Sequence, residues 1–404
     1  MTPDLANNRD DLVPGKIIET VRLARVLPEV YVYRDLLEAL RHYAGYRDGD
    51  WDNPGIDGDK DTFYVFAYDW RLDNVTNARE LIRRIEHLKA KLGRPDLRFN
   101  IVAHSMGGLI ARYAAMYGDN DLPEGDGEIQ PTWAGAAHIQ KIVMIGVPNE
   151  GSADAFATLV EGYSITEGLR RRVPLLNKLT AEDAITCPSV FQLLPHAGAV
   201  RFLDENLQPL QIDLYDPEVW KRYSWSPINT AEFRRHYAAA DKQSVSAHST
   251  NDNLKVLDDY FAATLRRTQR FHQALDAAGS GNPPVSLLAM GGDCEETLNS
   301  PVVLRDEKRS RWMTLIRPRE YRSSTGTKYS SKQVTKAMYA PGDGRVTRSS
   351  LLGENLLRKS AGSQTVSTLP LTYAVFACDL HGQLQRNKTL QDNALTAILG
   401  EAMK

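Results

Sequence analysis

The chain has 404 residues, of which 42% are apolar and 25% charged, with a formal net charge of −2. That balance excludes a global field suited to nucleic acid, and no apolar run reaches the roughly 18 residues of a membrane span. The length allows one large α/β domain with an inserted cap, or two domains.

The polar, acidic start, MTPDLANNRDDLVPGK, has neither the basic nor the apolar region of a signal peptide. As it stands, the chain therefore reads as cytoplasmic. Cys187, Cys294 and Cys378 are far apart and odd in number. With no CxxC pair and no histidine at ligand spacing, they read as three free, mostly buried thiols in a reducing compartment, with no metal site.

In chain order, YRDLLEALRHYAG sets Leu36, Leu37, Leu40 and Tyr43 on one helical stripe. TFYVFAYDW, Thr62 to Trp70, is rich in aromatic and β-branched residues and predicts a strand. In NARELIRRIEHLKAKLG the residues Leu81, Ile82, Ile85, Leu88 and Leu92 repeat at helical spacing. Asn77 and Glu80 can cap its start and Gly93 its end. FNIVA and HIQKIVMIGVP predict two further strands.

From about Asn149 to Pro284 the alternation stops, with several aromatic residues and no clear strand ladder. A long helix carrying Leu254, Leu257, Phe261 and Leu265 closes this section. VSLLAMGGD and LTYAVFACDL resume the strand pattern, and NKTLQDNALTAILG reads as a closing helix. The expectation is a mostly parallel sheet flanked by helices. Residues 1–148 and 285–404 would form its two halves, and 149–284 an inserted cap or lid.

FNIVAHSMGGLIARYAAMYG puts a serine on a tight corner between a strand and a helix. A nucleophile elbow needs small residues two positions either side of the nucleophile, because the turn leaves no room for larger ones. Ala103 and Gly107 fill those positions around Ser105. The turn exposes the Ser105 hydroxyl and aims the Met106 amide at a developing oxyanion. The turn should also point His104 away from the serine, so His104 is not its base.

A serine hydroxyl needs a base that is itself oriented by a third group. With the chain order Ser, acid, His, the base belongs after the last strand, where His381 stands. His42, His87 and His138 lie in early elements, and His196, His236, His248 and His272 in the middle section or its closing helix. For the acid, Asp293 ends one strand, and Asp343 sits in the glycine-flanked loop YAPGDGRVTRSS. Position alone leaves both open.

FAYDWRLDN, IVAHSMGGLIARYAA, IGVPNEGS, GDGRVTRSS and DLHGQL together resemble the lecithin:cholesterol acyltransferase-like group of α/β-hydrolases, above all its bacterial members. LYDPEVWKRYSW resembles that group's cap. The resemblance runs from about Val32 to the C-terminus. It implies an α/β-hydrolase fold, Ser105 as nucleophile, Asp343 as acid and His381 as base, with no metal or organic cofactor. It implies cleavage or transfer of fatty acyl groups of lipid esters. It also sets Tyr68-Asp69-Trp70-Arg71 near the site; a buried Asp-Arg pair fixing a loop explains those residues equally well.

Three positions depart from the group's pattern. Pro148-Asn149-Glu150 replaces Pro-His or Pro-Trp, and Ala103 replaces a glycine. Pro14-Gly15 follows polar residues and lies too close to Tyr68 to be the family's oxyanion loop. Either the first family strand and that loop are missing from this chain, or another amide substitutes for the loop's, and the second oxyanion donor is unassigned. The rival reading is an inactive α/β-hydrolase fold kept for binding. Arg317 to Lys336 is rich in cations and reads as a solvated hairpin, the alternative being transient contact with anionic lipid. The oligomeric state is not fixed by the sequence.

Overall fold

In the computed structural model the described residues are 1–5, 12, 14, 15, 17, 20, 21, 30, 31 and 33–400, apart from 124, 126, 165–177, 199–201, 241–249, 280–282, 307–309 and 360–364. The elements that build the site are α1 (Arg34–His42), α2 (Asn74–Leu92), β1 (Phe99–His104), α3 (Met106–Tyr117), β2 (Ile139–Ile145), α4 (Ala153–Glu161), α5 (Thr250–Asp276), β3 (Ser286–Gly292), β4 (Leu371–Ala377) and α6 (Lys388–Leu399).

The four strands form a parallel sheet in the order β4-β3-β2-β1. Parallel strands are joined by helical crossovers, so both faces of such a sheet are covered. In β2, Ile142 and Met144 pack with Leu81, Ile82 and Ile85 of α2 and with Leu109 and Ile110 of α3. Val143 and Ile145 point the other way, into Leu384 and the α6 residues Leu390, Ala394 and Ala397. This two-residue alternation decides which helix covers which face. The expected mostly parallel sheet between helical layers is what the chain forms.

A second apolar core gathers Phe156 of α4, Phe202, Trp220, Trp225, Phe261 of α5, Val302 to Leu304, and Val334 with Met338. It therefore draws on residues from both sides of β3. The middle section also contributes to a ladder where none was expected. Phe202–Leu203 pairs with Pro209–Leu210 and, through Leu203, with Val302. These strands are too short to show a period.

Local chemistry corrects three other expectations. Asp73 caps α2, its carboxylate accepting from the amides of Val75 and Thr76, so Asn77 and Glu80 already lie inside the helix. Gly93 ends it with φ 64°. Leu36, Leu37 and Leu40 are buried in α1, but Tyr43 follows the helix and is 77% exposed. Within Thr62 to Trp70 only Thr62–Phe63 pairs, with Arg47–Asp48.

Tyr64 to Tyr68 keeps strand-like alternation without a ladder. Phe63 and Val65 pack toward α1, and Phe66 and Tyr68 toward the α2–α3 core. Strand propensity reflects packing beside a neighbour, and here the sheet ends at β1, whose outer edge is unpaired among the described residues.

The cysteines are a further correction. Cys294 and Cys378 form a disulfide, and only Cys187 is free. They follow β3 and β4, which are neighbours in the sheet, so 84 residues of sequence separation hide a 5.3 Å Cα distance. The inference of a reducing compartment from free thiols therefore no longer stands. Among the described residues no helix is long and apolar enough to cross a membrane.

Candidate active site

β1 ends at His104 and α3 begins at Met106. Between them Ser105 has φ 54° and ψ −131°, a backbone state that L-residues rarely hold. The Ser105 amide donates to Ile145 O (2.8 Å), tying the corner to β2. Its carbonyl accepts from the Gly108 amide (3.0 Å), closing the first turn of α3. The amides of Met106 and Gly107 are left without a backbone acceptor among the described residues, as the first amides of a helix are. A side chain on Gly108 would collide with Val147, so the glycine lets the helix lie against the loop after β2.

His381 arrives from the segment after β4, and Asp343 from the loop before a short helix, Arg348–Leu352. His381 Nδ1 lies 2.8 Å from Asp343 Oδ2, and His381 Nε2 2.9 Å from Ser105 Oγ. A carboxylate only accepts, so Nδ1 carries the proton and Nε2 is free to accept from the serine hydroxyl. The Asp343 carboxylate also accepts from the amides of Arg345 (3.0 Å) and Val346 (2.8 Å) through Oδ1. The His381 amide donates to the Asp343 carbonyl (2.9 Å). Asp343 and His381 are buried, at 2% and 7% exposure.

Two glycines make room for this approach. A Cβ on Gly146, whose φ is 57°, would stand 3.1 Å from His381 Nδ1 and 3.2 Å from Asp343 Oδ2. One on Gly292 would stand 2.8 Å from the Asp343 Cβ. Asp293, the other candidate acid, instead faces Arg348 at 3.9 Å.

Sequence reasoning missed the groups that hold these residues. His104 Nε2–H donates to the His381 carbonyl (3.0 Å), and its Nδ1 accepts from the Tyr33 hydroxyl (3.2 Å). Burial, with His381 close by, pushes the His104 imidazole down to about 3, so it stays neutral.

The loop after β2 is bonded to the acid loop along its length. Arg345 pairs with Asp154 (2.7 Å) with both side chains nearly buried, and Ser152 Oγ–H donates to Arg345 O (2.5 Å). The Asn149 amide group donates to Leu351 O (2.6 Å), and Glu150 accepts from Asn355 Nδ2 (2.8 Å). Burial pushes the Glu150 carboxyl up, against the lowering effect of the Asn355 donors. The arginine in GDGR was the only sequence signal of this contact; nothing in the sequence reveals that its partner is Asp154.

Within Tyr68-Asp69-Trp70-Arg71, Asp69 and Arg71 form a forked pair, with Arg71 Nε on Oδ1 (2.9 Å) and Nη2 on Oδ2 (2.6 Å). Asn77 Nδ2 donates to Asp69 O (2.9 Å). This fixes the turn between residues 68 and 71. In the cationic stretch, Tyr321–Arg322 pairs with Lys328–Tyr329 as a hairpin. Arg317 faces Glu161 (3.3 Å) and Lys328 faces Glu320 (3.4 Å). Pro14-Gly15 lies in a stretch most of which falls outside the described residues.

The model of the family described as lecithin:cholesterol acyltransferase matches residues 50–274. The uncharacterized protein YJR098C of Saccharomyces cerevisiae is 26% identical over 209 residues, which are 51% of this chain and 26% of that protein. The chain thus spans about a quarter of the length of the curated relative it matches. Among solved structures, a chain in the Tle4-Tli4 complex aligns over 84% of this chain and 69% of its own, with 15% identity and a TM-score of 0.49. The phospholipase PlaB from Legionella pneumophila aligns over 87% of this chain and 53% of its own, with 12% identity and a TM-score of 0.34.

Proposed function

The chain belongs to the lecithin:cholesterol acyltransferase family, and we propose that it is a serine enzyme that hydrolyses or transfers fatty acyl groups of lipid esters. The observation that carries this reading is the unbroken hydrogen-bonded line from Ser105 through His381 to Asp343, with the serine on a positive-φ corner at the head of a helix.

In this reading Ser105 Oγ bonds to the ester carbonyl carbon while its proton passes to His381 Nε2. The carbonyl π pair moves onto oxygen, which faces the Met106 amide. Asp343 holds the imidazole and balances its positive charge. Collapse of the intermediate expels the alcohol, which takes the proton from Nε2 and leaves Ser105 as an acyl ester. Water or an acceptor alcohol then attacks by the same route, with His381 again passing the proton. The apolar section 149–284 would cover the acyl chain as a cap.

A second reading, a weak or inactive hydrolase fold kept for binding, draws support from the edge of β1, which has no strand partner among the described residues. One experiment separates the two. A fluorophosphonate probe, read by intact mass, should add once to the chain and not to its Ser105→Ala variant. A folded chain that takes up no probe overturns the enzyme reading and favours the second.

A further inference from the structure

A tetrahedral oxyanion needs donors from more than one direction. The amides of Met106 and Gly107 both belong to the first turn of α3 and approach from one side. On the side where the sheet stops, the nearby donors are mostly engaged. The Tyr33 hydroxyl is on His104, Trp51 Nε1 is on Val65 O (2.8 Å), and Asn77 and Arg71 are on Asp69.

Tyr68 differs. The hydroxyls of Tyr64, Tyr113, Tyr117 and Tyr260 each donate to a backbone carbonyl, as those of enclosed tyrosines usually do. The Tyr68 hydroxyl has no hydrogen-bond partner among the described residues. It lies 3.7 Å from where a Cβ on Gly107 would stand, over the first turn of α3 and next to the serine corner. Because residue 107 is glycine, no side chain fills the space between them.

The Tyr68 ring is held in place. It stacks on Phe66 (centroids 5.8 Å apart, planes 22° apart) and packs against the α2–α3 core. The Asp69–Arg71 fork and the Asn77 bond fix the turn just after it. Tyr68 is partly buried, and desolvation pushes its phenol above its ordinary range, so at neutral pH the hydroxyl is protonated and can donate.

We propose that the Tyr68 hydroxyl is the second oxyanion donor of this chain, acting opposite the Met106 amide and standing in for a loop amide. The assignment rests on the proposed serine chemistry. It also gives the tyrosine of the Tyr-Asp-Trp-Arg stretch a role distinct from that of the forked pair after it.

The test compares the full chain with Tyr68→Phe, which keeps the ring and removes the donor. Both are assayed on p-nitrophenyl butyrate and with an alkyl trifluoromethyl ketone, which binds serine enzymes as a tetrahedral oxyanion. The expected result is a fall in kcat of roughly 10²–10³-fold, with KM unchanged. Ketone affinity should fall in parallel, and the thermal midpoint should not move. Unchanged kcat and ketone affinity overturn the proposal. Loss of KM and thermal stability along with kcat also overturns it, because it marks Tyr68 as structural. A parent chain that neither takes up fluorophosphonate nor turns over ester defeats the serine reading itself, before the variant is made.

Discussion

Replacing Asp154 by alanine removes the nearly buried ion-pair partner of the Arg345 guanidinium. The pair is 2.7 Å apart, with side chains 8% and 11% exposed, so water cannot take over the lost partner. Breaking a buried pair from one side costs about 3–5 kcal/mol, because the remaining charge stays desolvated. The unfolding entropy of 404 residues, at about 2.1 cal/mol/K each, is about 0.85 kcal/mol/K. The expected fall in melting temperature is therefore about 4–6 °C, measured by calorimetry at pH 7.

The loss should also reach the acid. The amide of Arg345 donates to Asp343 Oδ1, so a displaced arginine loosens the carboxylate that orients His381. Fluorophosphonate labelling should slow in the variant even well below its melting temperature. Replacing both partners, Asp154→Leu with Arg345→Met, removes the buried charge as well and should restore most of the melting temperature. If Asp154→Ala melts within about 1 °C of the parent, the reasoning that this pair anchors the acid loop is refuted.

Gly146→Ala puts a methyl group against the His381–Asp343 contact at a residue with φ 57°. Labelling should nearly vanish while far-ultraviolet dichroism is retained; parent-like labelling would show that the contact has slack. His104 is kept neutral in the fold while the unfolded chain gains a proton below pH 6.5, so its contribution is complete above pH 6.5 and is lost as pH falls toward about 3. Urea unfolding at pH 7.0 and 4.5 should show His104→Asn losing roughly 2–3 kcal/mol less than the parent over that interval. Buried His272 adds the same sense of dependence to both proteins and cancels in the comparison. Reducing Cys294–Cys378 opens a loop of 84 residues; the chain-entropy model gives a destabilisation of about 4–5 kcal/mol, to be read as a lower urea midpoint with dithiothreitol.

Much of the sheet was legible because β2 and β3 carry long apolar runs and α2 and α3 keep their period. The serine corner was legible because a strained turn dictates small neighbours, and Ala103 and Gly107 show it. What escaped was whatever depends on a distant partner. Thr62 to Trp70 has strand residues, yet pairing needs an adjacent strand. Cys294 and Cys378 meet only because β3 and β4 are neighbours. Asp73 outcompetes Asn77 as a cap because its carboxylate reaches two amides at once. Asp154 reads as an ordinary first-turn acid until the acid loop folds over it. The line joining Ser105, His381 and Asp343 was suggested by chain order and family pattern, and its geometry appears only in three dimensions.

The position of β1 at the rim of the sheet has a consequence for heat. Among the described residues Ser105 hangs from a strand held by a single neighbour, whereas β2 and β3 are held on both sides. Segments with fewer cooperative partners open at lower free energy than the body of a protein. The corner should therefore fray while the cores around Ile142 and Trp220 are still intact. On warming, turnover should decay several degrees before the calorimetric transition, and cooling from that interval should restore it in full.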